Sequence, residues 1–96
     1  MPDSPEDVVL IAFVRGRTQG VGFRAFVVDR AGKLGLRGFV RNLPGGRTVE
    51  VVAQGPQDNL DLLLSALRQG PPMAHVERVD VSWGEATGVY EGFSVR

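Results

Sequence analysis

Ninety-six residues make a chain of one domain's size, with 43% hydrophobic residues and a formal net charge of zero. The absence of cysteine and the single histidine exclude disulfides, thiolate metal ligands, cysteine nucleophiles and a multi-histidine metal site. No apolar run approaches the ~18 residues of a membrane span, and residues 1–7 are proline-rich and acidic, unlike a cationic signal peptide.

These features predict a frayed lead-in over residues 1–7, one domain over residues 8–96, a cytoplasmic location and no membrane partner. The charge is unevenly spread. Between Val8 and Arg47 stand Arg15, Arg17, Arg24, Arg30, Lys33, Arg37, Arg41 and Arg47, against the single acid Asp29. That half of the chain would attract an anion, although each cation is equally readable as a solvated surface charge.

In chain order, residues 8–14 are apolar throughout and, with Arg15, predict a strand over residues 8–15 with neighbours on both sides. The loop that follows contains Gly16, Gly20 and Gly22. Residues 23–36 predict a helix with Phe23, Val27, Ala31 and Leu34 as its apolar stripe and Gly35 as its C-terminal cap. Residues 37–42 and 48–53 predict a hairpin around Leu43-Pro44-Gly45-Gly46.

Pro56 opens a second helix where its missing N–H does no harm. Leu60, Leu63, Leu64 and Leu67 recur at i, i+3, i+4 and i+7 along it, and Gly70-Pro71-Pro72 ends it. Residues 76–83 predict a strand, and residues 92–96 a short final one. The order β-α-β-β-α-β with a C-terminal strand predicts an α+β, ferredoxin-like split β-α-β sandwich, its antiparallel sheet carrying both helices on one face.

Arg24 falls in the first turn of the first helix, where free N–H donors and the helix dipole disfavour a cation. A bound anion reverses the sign of that term. The residues just before it can present a concave row of backbone amides to phosphate-like oxygens, although a plain turning loop would use the same glycines. Arg24 itself can donate a forked pair of hydrogen bonds to one phosphoryl group. Asn42 ends the strand after the helix and could orient a water, or could simply serve the Leu-Pro turn.

Gly20-Val21-Gly22-Phe23-Arg24-Ala25 also fits a dinucleotide-binding pattern. The next strand ends Val40-Arg41-Asn42 without the acid which that motif needs, so the match is rejected. A phosphate loop of the Walker type fails for want of Gly-Lys-Ser/Thr. His75 has no catalytic partner in the sequence and reads as a surface residue at a strand start. Trp83 and the phenylalanines read as core. They are not gathered on one strand as an RNA-binding sheet requires, so no nucleic-acid partner is expected.

The loop Gly16-Arg17-Thr18-Gln19-Gly20-Val21-Gly22-Phe23-Arg24 resembles the first signature of the acylphosphatases. Leu34-Gly35-Leu36-Arg37-Gly38-Phe39-Val40-Arg41-Asn42 resembles the second. The segment from Glu50 to Gly55, the Gly70-Pro71-Pro72 turn and the closing Gly92-Phe93-Ser94-Val95-Arg96 are similar too. Thr18 stands where valine is common in the family, and Phe39 where tryptophan is common. Between Asn42 and Gly55 the chain has one residue more than the usual spacing, which predicts a longer turn or a bulge around Gly45-Gly46-Arg47-Thr48.

The resemblance implies hydrolysis of the carboxyl–phosphate bond of small acylphosphates, without metal or covalent phosphoenzyme; no cofactor is expected, and a monomer is. It places the phosphate-binding arginine on Arg24 and the water-orienting asparagine on Asn42. The phosphate-binding backbone amides fall on Gln19, Gly20, Val21, Gly22 and Phe23. A related domain stands at the front of carbamoyl-transferring hydrogenase maturation proteins. A non-catalytic phosphate- or carbamoyl-phosphate-binding module, or a regulatory domain of the same fold, is therefore the alternative. The lack of downstream zinc-finger cysteines favours a free-standing enzyme.

Overall fold

A computed structural model describes residues 7–96. The expected lead-in lies outside the described residues except for Asp7, which is the first residue of a strand rather than frayed chain. The elements are β1 (Asp7–Arg17), α1 (Phe23–Lys33), β2 (Arg37–Asn42), β3 (Thr48–Pro56), α2 (Gln57–Gln69), β4 (His75–Glu85) and β5 (Phe93–Val95). They build one five-stranded sheet in the order β4-β1-β3-β2-β5. As its apolar run predicts, β1 lies between two neighbours. The sheet is antiparallel except at one edge, where β5 pairs parallel to β2.

Alternation along the strands sends Leu10, Ala12 and Val14 of β1, Val40 of β2, and Val49, Val51 and Ala53 of β3 to one face. Phe23, Val27 and Ala31 of α1 and Leu60, Leu63 and Leu67 of α2 close over them, so both helices occupy that face. The opposite face carries a smaller cluster of Val9, Phe39 and Val52, with Ile11 and Tyr90 packed against it. The Arg96 guanidinium lies 4.2 Å from the centre of the Phe39 ring and covers this cluster.

Trp83 is not core. It is 44% exposed, because it sits on the edge strand β4, opposite Leu10, with no strand beyond it. Helix α1 ends at Lys33, three residues before the predicted end. There the Gly35 N–H bonds to the Gly32 carbonyl and the Leu36 N–H to the Ala31 carbonyl, closing the helix in a Schellman motif. Strand β3 runs on to Pro56, which pairs with Asp7 and then serves as the N-cap of α2.

The β2–β3 register is unbroken from Arg37 opposite Gln54 to Asn42 opposite Val49. The Leu43 N–H closes the hairpin on the Thr48 carbonyl at 2.9 Å. The extra residue is therefore absorbed in the loop over residues 44–47 and not in a bulge of the hairpin. A register shift does occur elsewhere, between Arg15 and Gly16 in the β1–β4 pair. At that shift the Gly16 N–H donates to the Arg47 carbonyl at 2.9 Å. No helix among the described residues is long and apolar enough to cross a membrane.

Candidate active site

Strands β1 and β2 both run antiparallel to β3, so they run parallel to each other, and β5 runs parallel to β2. The C-terminal ends of β1, β2 and β5 and the start of α1 consequently share one edge of the sheet. A hollow of about 370 Å³ opens there, lined by Thr18, Gly20, Gly22, Phe23, Arg24, Ala25, Asn42 and Val95. Arg24 and Asn42, eighteen positions apart, thus line one hollow together with the glycine loop.

Local chemistry makes the loop receptive to an anion. Gly22 is the N-cap of α1 in the left-handed region, φ 78°, a conformation a side-chain-bearing residue adopts at a cost. It offers no capping side chain, and the first turn contains no acid. The first bond closing the helix runs from the Phe26 N–H to the Gly22 carbonyl. The amides of Gln19, Gly20, Val21, Gly22 and Phe23 donate to no other described residue. Of these five residues Gly20, Gly22 and Phe23 line the hollow and Gln19 and Val21 do not, so free donors and the positive end of the helix dipole meet at its wall.

Arg24 is exposed and forms no ion pair or hydrogen bond with any described residue. This sets it apart from most of the basic half of the chain. Arg15 pairs with Asp80 at 2.8 Å, Lys33 with Asp29 at 3.2 Å, Arg37 with Asp7 at 3.7 Å and Arg47 with Glu77 at 2.6 Å. Arg41 pairs with Glu50, and Arg30 lies over the Phe26 ring.

A second open hollow, of about 540 Å³, is lined by Arg15, Arg47 and Arg78 among others. Its cations are already neutralised, with Arg78 sharing Asp80 at 3.1 Å. The hydrogen bond from Arg15 holds the Asp80 carboxyl below its usual range. An anion gains less there than beside an unpaired arginine and unused amides.

Three residues of the hollow were not among the site residues expected from the sequence. Ala25 follows Arg24 on the helix. Val95 reaches the site only because β5 adds beside β2, and 49% of it is exposed. Thr18 is 1% exposed, and its hydroxyl has no hydrogen-bond partner among the described residues. A buried, unbonded hydroxyl costs roughly 1–3 kcal/mol. Thr18→Val keeps the shape and removes that cost, so it is expected to raise unfolding stability by about 1 kcal/mol. Urea denaturation followed by circular dichroism measures this, and a lower midpoint for the variant would show that the hydroxyl is satisfied. His75, exposed at the first position of β4, does not line the hollow.

A family model described as Acylphosphatase matches residues 10–95. The chain belongs to the acylphosphatase family. An acylphosphatase of Thermus thermophilus is 56% identical over 86 residues, spanning 90% of this chain and 96% of the relative. The crystal structure of the acylphosphatase from Bacillus subtilis superposes with a TM-score of 0.88 at 36% identity, covering 93% of this chain and 98% of that one. T. kodakarensis HypF is also similar, with a TM-score of 0.81 and 30% identity over 93% of this chain but only 12% of the other. The fold expected for an acylphosphatase is the fold found, with β5 as its parallel addition.

Proposed function

We propose that this protein hydrolyses the carboxyl–phosphate bond of small acylphosphates to carboxylate and inorganic phosphate, with Arg24, Asn42 and the loop amides as its working groups. The carrying observation is the meeting, in one hollow, of an unpaired arginine, unused helix-start amides and the strand-end asparagine. Membership of the acylphosphatase family supports the same reading.

The chemistry asks for little more. A carboxylate leaves readily, so no strong general acid is needed. Phosphoryl transfer is served by positioning and by stabilising charge on the equatorial oxygens. In this mechanism Arg24 and the amides of Gln19, Gly20, Val21, Gly22 and Phe23 hold the phosphoryl oxygens. The Asn42 side chain, which can both donate and accept, holds a water in line with the bond to be broken. The substrate's own phosphoryl oxygen takes the water's proton as the P–O bond to the carboxylate breaks. All these groups come from one chain, so the working unit of the proposal is a monomer, placed in the cytoplasm.

Steady-state hydrolysis of benzoyl phosphate in the presence of EDTA tests the reading. Turnover that is undiminished by the chelator is the expected result. Binding of inorganic phosphate without hydrolysis of benzoyl or carbamoyl phosphate would select the second reading, a phosphate-binding module. The similarity to one small part of HypF is the observation favouring that alternative.

A further inference from the structure

The Gln19 side chain does something the loop amides do not. Its Nε2 donates to the Leu43 carbonyl at 2.9 Å and to the Thr48 carbonyl at 3.0 Å. These two carbonyls flank the loop of the β2–β3 hairpin, whose first strand ends at Asn42. The Thr48 carbonyl also accepts the Leu43 N–H at 2.9 Å, so Gln19 joins the bond that closes the hairpin neck. The orientation of the amide is dictated, since turning it over would set the Oε1 acceptor against two acceptors. A side chain from the anion loop therefore fastens the hairpin immediately beyond Asn42, across 24 and 29 positions of sequence.

We infer that the Gln19 side chain is a positioning residue which sets the spacing between the anion-binding loop and Asn42. The inference rests on the proposed hydrolytic role of this site. In-line attack demands that a water on Asn42 and a phosphoryl group on the loop amides stay in fixed relation, and a displacement of about 1 Å can cost on the order of 100-fold in rate. The two halves of the site come from different parts of the sheet edge. On the β3 side, Arg15 pairs with Thr48 and the Gly16 N–H holds the Arg47 carbonyl, whereas Gln19 adds the bond to Leu43, the residue next to Asn42. Two hydrogens on one nitrogen, one for each carbonyl, suit this task. No hydroxyl or carboxylate side chain can supply two donors.

The test uses Gln19→Met and Gln19→Glu in the full chain, with benzoyl phosphate as substrate and inorganic phosphate as competitive inhibitor. Gln19→Met keeps the length and removes both donors. Its kcat is expected to fall about 100-fold at every pH, with the inhibition constant for phosphate changed less than threefold. Gln19→Glu sets a carboxylate against two carbonyl oxygens, so it is expected to match the methionine variant at neutral pH. As pH falls, the introduced carboxyl protonates and donates one bond again. Its kcat relative to wild type is then expected to rise about tenfold by pH 5.

A kcat for Gln19→Met within threefold of wild type overturns the inference. So does a pH-independent ratio for Gln19→Glu, or a phosphate inhibition constant that worsens in step with kcat. Amide hydrogen exchange separates this failure from failure of the hydrolytic reading. If wild type itself does not turn over benzoyl phosphate, that reading is wrong. The clamp is then judged by the Leu43 amide, whose exchange should quicken in Gln19→Met; an unchanged rate there overturns the clamp as well.

Discussion

Asn42→Ala is expected to lower kcat for benzoyl phosphate on the order of 1,000-fold while inorganic phosphate still inhibits with an unchanged constant. The asparagine lies at the end of β2, half-buried, with its backbone paired to Val49, and it lines the hollow. In the proposed mechanism it touches the water and not the phosphoryl group. Its loss should therefore spare ground-state binding and remove the fixed approach of the nucleophile.

Arg24→Ala is the contrasting case. The unpaired guanidinium beside the helix start is the one cation among the described residues that line the hollow, so its removal should weaken phosphate inhibition and lower kcat/KM together, by about 1,000-fold or more. Both variants should fold, because neither side chain bonds to a described residue. Normal hydrolysis by Asn42→Ala would remove the water-holding role. Phosphate inhibition of Arg24→Ala at wild-type strength would remove the anion-holding one.

The largest structural effect is expected at Gly38. This residue is buried in β2 between β3 and β5, opposite Ala53 and Phe93, with its N–H donated to the Gly92 carbonyl at 2.8 Å. Its φ of 146° lies in the region L side chains avoid, and a methyl added there would meet the Val52 carbonyl oxygen at 1.9 Å. That neighbour is backbone and cannot rotate away. Gly38→Ala must push β2 off β3, disturbing Phe39 and Val40, which are buried on either side, and Asn42 beyond them. A loss of about 3–5 kcal/mol of unfolding free energy is expected, large against the 5–15 kcal/mol typical of a small domain. Urea denaturation measures it. A variant within 1 kcal/mol of wild type would mean that the strand can shift at little cost.

The elements were legible because their signals are local. Alternation in residues 8–15, the leucine spacing of α2 and the glycine-proline turns each fall within a few positions. The unfavourable place of Arg24 against the helix dipole is likewise a local signal, and it points to an anion. Gly38 was legible only as part of a strand. Nothing nearby in the sequence shows that the Val52 carbonyl stands where its side chain would be. The positive half of the chain read as a broad attraction for anions, yet its arginines find acids far away, Asp80 for Arg15 and Glu77 for Arg47, across 65 and 30 positions.

The sequence by itself determined the order and kind of the elements and the glycine loop before α1, and it offered Arg24 and Asn42 as candidates for phosphate and water. Periodicity and turn chemistry act between residues that are near neighbours along the chain. Only the tertiary structure decided that β1, β2 and β5 end at the same edge, that Arg24 stays unpaired while most other cations do not, and that Gln19 reaches the hairpin neck. Strand partners, ion pairs and the hollow itself are made between distant segments, and no local pattern specifies which of them will meet.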